Sequence, residues 1–229
     1  NTNLGITINV SADNNPVDEG KSEVSGIKEV VTESGKTTGT FLLTLKDVNN
    51  NIMGNVNPQT ISFTVSPSIN DAVTISSTPV IDKDKGIYKY TVSAKKAGTY
   101  DINIQVGSVK FKTKQVKLVV LSDMPVAPSK LSAAKNNIAT GEKVAVTLVA
   151  MRGANQPITD DISSVISLKD DNGSFGFTKD KDGYVAQFSS TKAGAHNLNL
   201  YYKQSLDGKE VNTNLGITIN VSADNNPVD

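Results

Sequence analysis

The sequence contains no cysteine and no tryptophan, and it has a single histidine and a single arginine. Without cysteine there is no disulfide, no thiolate nucleophile and no cysteine-ligated zinc or iron–sulfur site. Because Arg152 is the only arginine, bidentate recognition of phosphate or guanine is available at one position at most. The 23 Lys and Arg residues balance the 23 Asp and Glu residues, so no excess positive charge attracts nucleic acid. We therefore expect no nucleic-acid partner.

Long hydrophobic runs are also missing. The longest purely apolar stretches have only four residues, as at Leu118 to Leu121, far below the roughly 18 residues that a membrane helix needs. The chain opens in mid-pattern at Asn1 without a signal peptide, which is typical of an excised fragment. We expect no membrane contact by this segment.

Motifs for catalysis are scarce. The sequence has no Gly-x-Ser-x-Gly elbow, no phosphate-binding loop and no dinucleotide fingerprint. Its one histidine, His196, lies on an alternating segment, where a structural hydrogen bond is a commoner role than general-base catalysis. We therefore predict that the chain is not an enzyme, and we assign no catalytic, cofactor-binding or metal-binding residue and no cofactor.

Several acidic groups have a spacing that suits calcium. They are Asp82 with Asp84, Asp160 with Asp161, Asp180 with Asp182, and Asp170 with Asp171 and Asn172. None matches the twelve-residue calcium loop, and the interleaved lysines would repel a cation. Calcium at a joint between domains, bound by Asp123 or Asp224, stays open as an alternative.

The strongest feature of the sequence is an exact repeat. Residues 1–18 recur unchanged as residues 212–229, a spacing of 212 − 1 = 211 residues. Near-identical units in series build long objects in which each unit contacts mainly its neighbours. We interpret the chain as one period of a tandem array plus an overlap. The alternative is that one end was copied onto the other during cloning.

A fainter repeat lies within the period. Lys-Ala-Gly occurs at 96–98 and at 192–194, eight residues after Tyr88 and Tyr184 respectively. We therefore divide the chain into two related domains of about 100 residues, the commonest domain size. The predicted units are 1–18 (last strand and linker of a preceding repeat), 19–123 (domain 1), 124–128 (linker), 129–224 (domain 2) and 225–229 (start of the next linker).

Apolar residues alternate with polar ones along most of the chain. The alternating sets are Phe41, Leu43 and Leu45; Ile61, Phe63 and Val65; Tyr88, Tyr90 and Val92; Ile102, Ile104 and Val106; Val144, Val146 and Leu148; Leu198 and Leu200; and Leu215, Ile217, Ile219 and Val221. This period of two is typical of strands with one buried face. With turn residues every 8 to 12 positions, the pattern predicts an all-β fold of two tandem immunoglobulin-like β-sandwiches arranged end to end.

Two short motifs carry a resemblance to a known family. Ala97-Gly98-Thr99-Tyr100-Asp101-Ile102 resembles the corner of immunoglobulin-like domains in which a tyrosine hydroxyl pins the chain. Together with Thr44-Leu45-Lys46-Asp47 and the strand at 61–65, it resembles the bacterial Ig-like (group 1) domains of the invasin and intimin family of inverse autotransporter adhesins. Domain 2 departs from the pattern, with His196 at the tyrosine position and no acidic residue near Arg152.

The resemblance implies a function. It predicts a structural stalk, or spacer, segment of a large repetitive bacterial surface adhesin, whose parent is anchored in the outer membrane. The predicted partners are neighbouring repeats of the same chain, with a host-cell or biofilm ligand at a distal tip outside this sequence. Two alternatives stay open: a repeat module that itself binds glycan, matrix or an identical stalk with avidity, and an accessory domain of a carbohydrate-active or phage structural protein.

The repeated segment also suggests strand exchange. Residues 1–12 have the sequence of the last strand of domain 2. We expect Leu4 to Val10 to be either disordered or donated to the sheet edge of a second molecule.

Overall fold

The structure is a computed structural model that describes residues 15–152 and 156–223. The segment expected to exchange, Leu4 to Val10, lies outside the described residues. The chain forms two β-sandwiches with separate hydrophobic cores, one between Val17 and Val120 and one between Ile138 and Val221. The predicted all-β fold of immunoglobulin-like sandwiches is confirmed.

The first sandwich packs two sheets face to face. Its strands are β1 (Glu23–Val24), β2 (Val31–Thr32), β3 (Gly39–Thr44), β4 (Ile61–Ser66), β5 (Val73–Ile75), β6 (Val80–Asp82), β7 (Ile87–Ala94), β8 (Gly98–Val106) and β9 (Val109–Leu121). One sheet has the order β1-β3-β7-β5, with β6 also paired to β7, and the other has the order β2-β9-β8-β4. The pairing of β2 with β9 is parallel and the other pairings are antiparallel.

The second sandwich joins its two layers through one long strand. Its strands are β10 (Lys130–Ala133), β11 (Asn137–Ala139), β12 (Val144–Val149), β13 (Ile166–Asp170), β14 (Gly173–Asp180), β15 (Gly183–Phe188), β16 (Gly194–Lys203) and β17 (Glu210–Ser222). The order is β10-β12-β15-β14-β13-β16-β17-β11. Strand β14 pairs with β13 through its first half and with β15 through its second half, so it passes from one layer to the other.

The alternation of the sequence explains the two cores. In β3 every second residue is buried, and Phe41 and Leu43 have no exposed surface. Burying a large apolar side chain of this kind contributes about 2 kcal/mol. The only helical segments of the described ranges are two three-residue 3₁₀ turns, Pro58–Thr60 and Ser163–Val165. Neither is long or apolar enough to span a membrane.

Most strands of the two sandwiches correspond, although β5 and β6 of the first sandwich stay with β7 whereas β14 of the second pairs with both β13 and β15. The first strand of each sandwich, β1 or β10, pairs with β3 or β12, which in turn pairs with β7 or β15. The last strand of each sandwich takes a short parallel partner: Val31 lies opposite Val120, and Ile138 lies opposite Val221. Leu43 faces Tyr88 in the first sandwich, as Leu148 faces Tyr184 in the second. These pairs fix a residue-by-residue equivalence between the two sandwiches.

Candidate functional site: the joint between the sandwiches

The linker is fixed mainly by the second sandwich. The backbone N–H of Val126 donates to the carbonyl oxygen of Met151 at 2.9 Å. The hydroxyl of Ser129 accepts from the N–H of Met151 at 2.8 Å, and Met124 packs against the second core. The prolines of the linker lower the number of conformations open to it. The linker is therefore a tied segment and not a loose tether.

A buried glutamate gathers groups from both sandwiches. Glu33 follows β2 and is 7% exposed. Its Oε1 accepts from the Ser122 hydroxyl at 2.6 Å and from the Asp123 N–H at 3.1 Å. Its Oε2 accepts from the Ala97 N–H at 3.1 Å. Across the joint, the Tyr202 hydroxyl donates to Oε1 at 3.0 Å. Four donors thus offset the cost of removing this carboxylate from water.

An ion pair forms the second part of the joint. Asp123 has no exposed surface. Its Oδ1 accepts from Nη2 of Arg152 at 2.6 Å, and its Oδ2 accepts from the N–H of Ser34 at 3.1 Å. The Nε of Arg152 also donates to the carbonyl oxygen of Ser122 at 3.1 Å. The only arginine of the chain therefore holds the end of the first sandwich by two hydrogen bonds.

Two further contacts lie at the edge of the joint. The Nζ of Lys36 donates to the carbonyl oxygen of Asp161 at 2.7 Å in an exposed position. The carboxylate of Asp160 lies 3.9 Å from Arg152. An exposed contact such as that of Lys36 contributes little on its own, and 3.9 Å is too long for a hydrogen bond, so the buried groups carry the coupling between the sandwiches.

The electrostatics of the joint depend on burial. Burial raises the pKa of Tyr202 well above its usual range, and the negative charge of Glu33 raises that pKa further. Tyr202 therefore remains a protonated donor at every physiological pH. A buried ion pair costs desolvation energy, and its most secure use is to specify one arrangement of the groups around it. We infer that this network fixes how the sandwiches meet.

The position of the first sandwich that is equivalent to Arg152 carries a residue of opposite charge, Asp47. The N–H of Arg152 donates to the Gln156 carbonyl at 2.9 Å, and the N–H of Asp47 donates to the Asn51 carbonyl at 3.0 Å. The two residues therefore occupy equivalent loop positions. Burial tends to raise the pKa of Asp47, but hydrogen bonds led by those from Asn51 outweigh it and lower the pKa. The acidic residue that the sequence lacks in domain 2 is thus replaced by the arginine of the joint.

The corner motif of the first sandwich has the expected geometry. The Tyr100 hydroxyl donates to the Lys96 carbonyl at 3.1 Å, four residues back along the chain. Tyr100 is 1% exposed. The predicted pinning of the chain by this tyrosine is confirmed.

His196 makes the equivalent bond in the second sandwich. Its Nε2 lies 2.9 Å from the Lys192 carbonyl oxygen and its Nδ1 lies 2.6 Å from Oδ2 of Asp170. A carbonyl and a carboxylate can only accept, so both ring nitrogens must carry a proton. The hydrogen bond to Asp170, followed by the bond to Lys192, raises the pKa of His196. The histidine is therefore a buried imidazolium with a structural hydrogen-bonding role, as predicted.

The acidic groups considered for calcium are not brought together. The described ranges contain no cluster of three or more acidic or histidine side chains that could hold a metal ion. Asp82 pairs with Lys85 at 3.3 Å, Asp170 pairs with His196, and Asp161 caps the N–H of Ser163. Asp123 takes its cation from Arg152. Asp224, the other joint candidate, lies outside the described residues.

Most residues of the joint were not predicted from the sequence. Glu33 and Tyr202 are 169 positions apart, and neither belongs to a motif. Arg152 offered a signal, because the only arginine stands where domain 1 has an acidic residue.

Residues 18–120, which span nearly the whole first sandwich, match the family model described as Invasin, domain 3. The predicted resemblance to the invasin family is confirmed. The match supports an adhesin-related role for the chain. No curated protein matches the sequence.

Solved structures of adhesins are also similar to the chain. The Escherichia coli adhesin FdeC is 22% identical, with 91% of this chain and 65% of that chain covered and a TM-score of 0.40. The Yersinia pseudotuberculosis adhesin InvE is 18% identical over 90% and 60% of the two chains, with a TM-score of 0.40. Invasin, a bacterial integrin-binding protein, is 14% identical over 91% and 41%, with a TM-score of 0.43. The chain thus spans less than two thirds of each of these structures.

Proposed function

We propose that the chain is a structural stalk segment of a large repetitive bacterial surface adhesin, which projects a distal adhesive tip from the cell. The observation that carries the proposal is the buried joint, in which Glu33, Asp123, Arg152 and Tyr202 hold two sandwiches by directional bonds. A spacer works by distance and by resistance to bending. A joint whose polar groups are satisfied in one arrangement supplies that resistance.

The repeat and the family support the same role. An array with a 211-residue period adds reach with each copy. Strands of this length make each sandwich about 40 Å long, so a period adds about 80 Å. Residues 18–120 match an invasin domain, which supports the adhesin part of the proposal.

The proposal includes the organisation of the parent protein. We place domain 1 at 19–123 and domain 2 at 129–224, joined by the linker 124–128, with 1–18 and 225–229 belonging to the adjoining repeat units. The parent is anchored in the outer membrane and displayed on the cell surface. Its adhesive ligand binds at the tip, and this segment has neighbouring repeats as its partners and performs no catalysis.

Small-angle X-ray scattering tests the role of the joint. We expect a maximum dimension near twice the length of one sandwich, about 80 Å, that is the same with calcium and with chelator. The double variant Glu33→Ala, Arg152→Met removes charges on both sides of the joint and should broaden the distribution of interatomic distances. Lys135→Met is the matched control, because it removes an exposed ion pair with Glu142 outside the joint.

Two results would contradict the stalk proposal. One is a wild-type chain whose dimension varies as widely as that of the double variant. The other is binding of cells or matrix that rises steeply with the number of repeats in the absence of a tip, which would favour the module that binds with avidity.

A further inference from the structure

The exact repeat brings together two ends of the molecule that do not meet within one period. In the proposed stalk, on which this inference rests, the second sandwich of one unit is followed by the first sandwich of the next. Ser222, at the end of β17, repeats Ser11, because 222 − 211 = 11. Val17, which bridges to Asp47 of the first sandwich, lies 17 − 11 = 6 residues later. Six extended residues reach about 20 Å at most, so the two ends lie close to each other.

The joint within the period shows which loop meets the preceding sandwich. The N–H of Asp18 donates to the Lys46 carbonyl at 2.8 Å, as the N–H of Val126 donates to the Met151 carbonyl at the joint. The chain therefore enters both sandwiches in the same way. The residue after Met151 is the arginine that reaches the first sandwich. The equivalent segment of the first sandwich, residues 46–52, is named the entry loop, and by this equivalence it faces the second sandwich of the preceding unit.

The entry loop exposes apolar side chains and keeps its charge inside. Asp47 is 2% exposed, and its carboxylate accepts from the backbone N–H and the side-chain amide of Asn51 at 2.7 and 2.9 Å. Val48 and Ile52, in contrast, are 53% and 52% exposed. Removing apolar side chains from water is favourable. The loop is therefore suited to an apolar partner surface.

A pocket of about 400 Å³ opens where the chain leaves the second sandwich. Its walls include Gly141, Ser174 and Ser190 beside the partly exposed ring of Phe175. The N–H of Gly141 donates to the Ser190 carbonyl at 2.8 Å, and the preceding N–H donates to the carbonyl of Ser222 at 3.0 Å. These bonds place the pocket, named the end pocket, beside the last residue of β17.

The buried charge at the end pocket has a partner in its own sandwich. Asp170 lines the pocket, and its Oδ2 lies 2.6 Å from Nδ1 of His196. At the rim, the Nζ of Lys192 lies 3.5 Å from Oδ1 of Asn172. An apolar side chain can therefore enter beside Phe175 without leaving the carboxylate of Asp170 unpaired.

The first sandwich closes the same end differently. Its strands β4 and β5 are joined by residues 67–72, whereas two residues, 171–172, join β13 and β14. The longer connection folds over the end: Ile69 packs against the core, and Ala72 is 1% exposed and accepts from the N–H of Lys95 at 2.8 Å. The second sandwich has only a tight turn at this end, beside the end pocket.

We propose that the end pocket of the second sandwich receives Val48 and Ile52 from the entry loop of the next unit. The partner is a second copy of the first sandwich, presented by the linker that the exact repeat defines. The two joints of the array then differ in chemistry. The joint within a period is ionic, and the joint between periods is apolar.

Engineered disulfides in a chain of two periods, 229 + 211 = 440 residues, test this contact. The natural sequence has no cysteine, so an introduced pair has no competing thiol. Ser174→Cys in the first unit and Val48→Cys in the second should close to an intramolecular disulfide under oxygen with a copper catalyst. Such a bond needs Cα atoms within about 7 Å. Loss of free thiol with retention of the monomer measures its rate.

Ser108→Cys in the second unit, combined with the same Ser174→Cys, is the matched control. Ser108 is exposed in the turn between β8 and β9, at the same end of the sandwich as the entry loop but outside it. The linker alone gives both pairs a similar effective concentration, so a specific contact should make the Val48 pair close at least about tenfold faster.

A charge in the contact gives an independent check. Ile52→Asp in the second unit should slow closure of the Val48 pair at least about tenfold, because a carboxylate would have to enter the pocket unpaired. Val80→Asp should leave the rate unchanged, since Val80 is 73% exposed and lies outside the entry loop.

The proposal is overturned if the Val48 pair closes no faster than the Ser108 pair, or if Ile52→Asp leaves the rate unchanged. Disulfide-linked dimers in place of the closed monomer would also overturn it. The scattering test uses a single period and probes the other joint. A rigid single period with slow closure of the Val48 pair would therefore refute this inference alone, and a flexible single period with fast closure would refute the stalk proposal alone.

Discussion

The two sandwiches share a fold, and they differ at a few polar positions as well as in the strand that crosses between the layers of the second sandwich. The corner is closed by Tyr100 in the first sandwich and by His196 in the second. The loop that carries Asp47 in the first carries Arg152 in the second. The apolar alternation behind both cores is the same. The comparison teaches that repeated domains keep their hydrophobic pattern, while single polar substitutions decide how each copy meets its neighbour and responds to its surroundings.

Breaking the ion pair of the joint should have the largest effect. Arg152→Met leaves Asp123 as a fully buried carboxylate without its cation. We expect a loss of about 3 kcal/mol in the free energy that couples the sandwiches. Urea unfolding followed by NMR should then give separate transitions for the two sandwiches in the variant. In the wild type the two transitions should lie closer together.

The position equivalent to Arg152 gives the matched comparison. Asp47→Ala removes hydrogen bonds within the loop of the first sandwich. We expect it to affect hydrogen exchange in that loop and to leave the coupling at the joint intact. Equal loss of coupling in Asp47→Ala and Arg152→Met would contradict the assignment of the joint.

Replacing the histidine of the second corner should have the next largest effect. His196→Phe removes two charge-assisted hydrogen bonds and leaves the buried Asp170 without its cationic partner. We expect the second sandwich to lose about 2 kcal/mol of stability while the first is unchanged. Hydrogen exchange of core amides, measured separately for β8 and β16, checks this outcome.

The histidine also predicts a pH dependence for the second sandwich alone. The pKa of His196 is raised above 6.5 in the folded state. Its stabilising effect is therefore complete below pH 6.5 and is lost as the pH rises through the folded value. Burial opposes ionisation of Asp170, but hydrogen bonds led by that from His196 lower its pKa below 3.8. The contribution of this carboxylate is present above pH 3.8 and is lost as the pH falls through its folded pKa.

Unfolding of the second sandwich at pH 5.5 and pH 8.5 measures this effect. Its midpoint denaturant concentration should be higher at pH 5.5, and the difference should shrink in His196→Phe. A first sandwich with the same pH response as the second would show that the corner is not the cause.

The smallest effect is expected at the tyrosine corner. Tyr100→Phe removes the neutral hydrogen bond to Lys96 and keeps the buried ring. We expect the first sandwich to lose about 1 kcal/mol, less than the second loses in His196→Phe. Thermal unfolding monitored at resolved NMR signals compares the two variants, and a larger loss in Tyr100→Phe would reverse the ranking.

The fold was predictable from the sequence because strand alternation is a local property. Each buried strand of the cores, such as β3 or β8, carries its period of two within a few residues.

The joint was not predictable in the same way. Glu33 and Tyr202 meet only because two sandwiches are placed against each other, and no spacing in the sequence records that placement. The position of β4 at the edge of its sheet was not predictable either, because it depends on which sheet the next strand joins. Side-chain pattern indicates which residues are buried, but not which of two available sheet edges a strand will choose.

The opposite charges of Asp47 and Arg152 have a consequence at the level of the gene. A recombination event that placed a second copy of the first sandwich directly after the first would bring Asp47 to the position that meets Asp123. Two carboxylates would then face each other in a buried joint, which disfavours their ionised forms. In the proposed array, exchange by whole periods of 211 residues would keep every Arg152 opposite an Asp123. On that proposal the pair of sandwiches, and not the single sandwich, is the smallest unit that a gene could add or lose while preserving this joint.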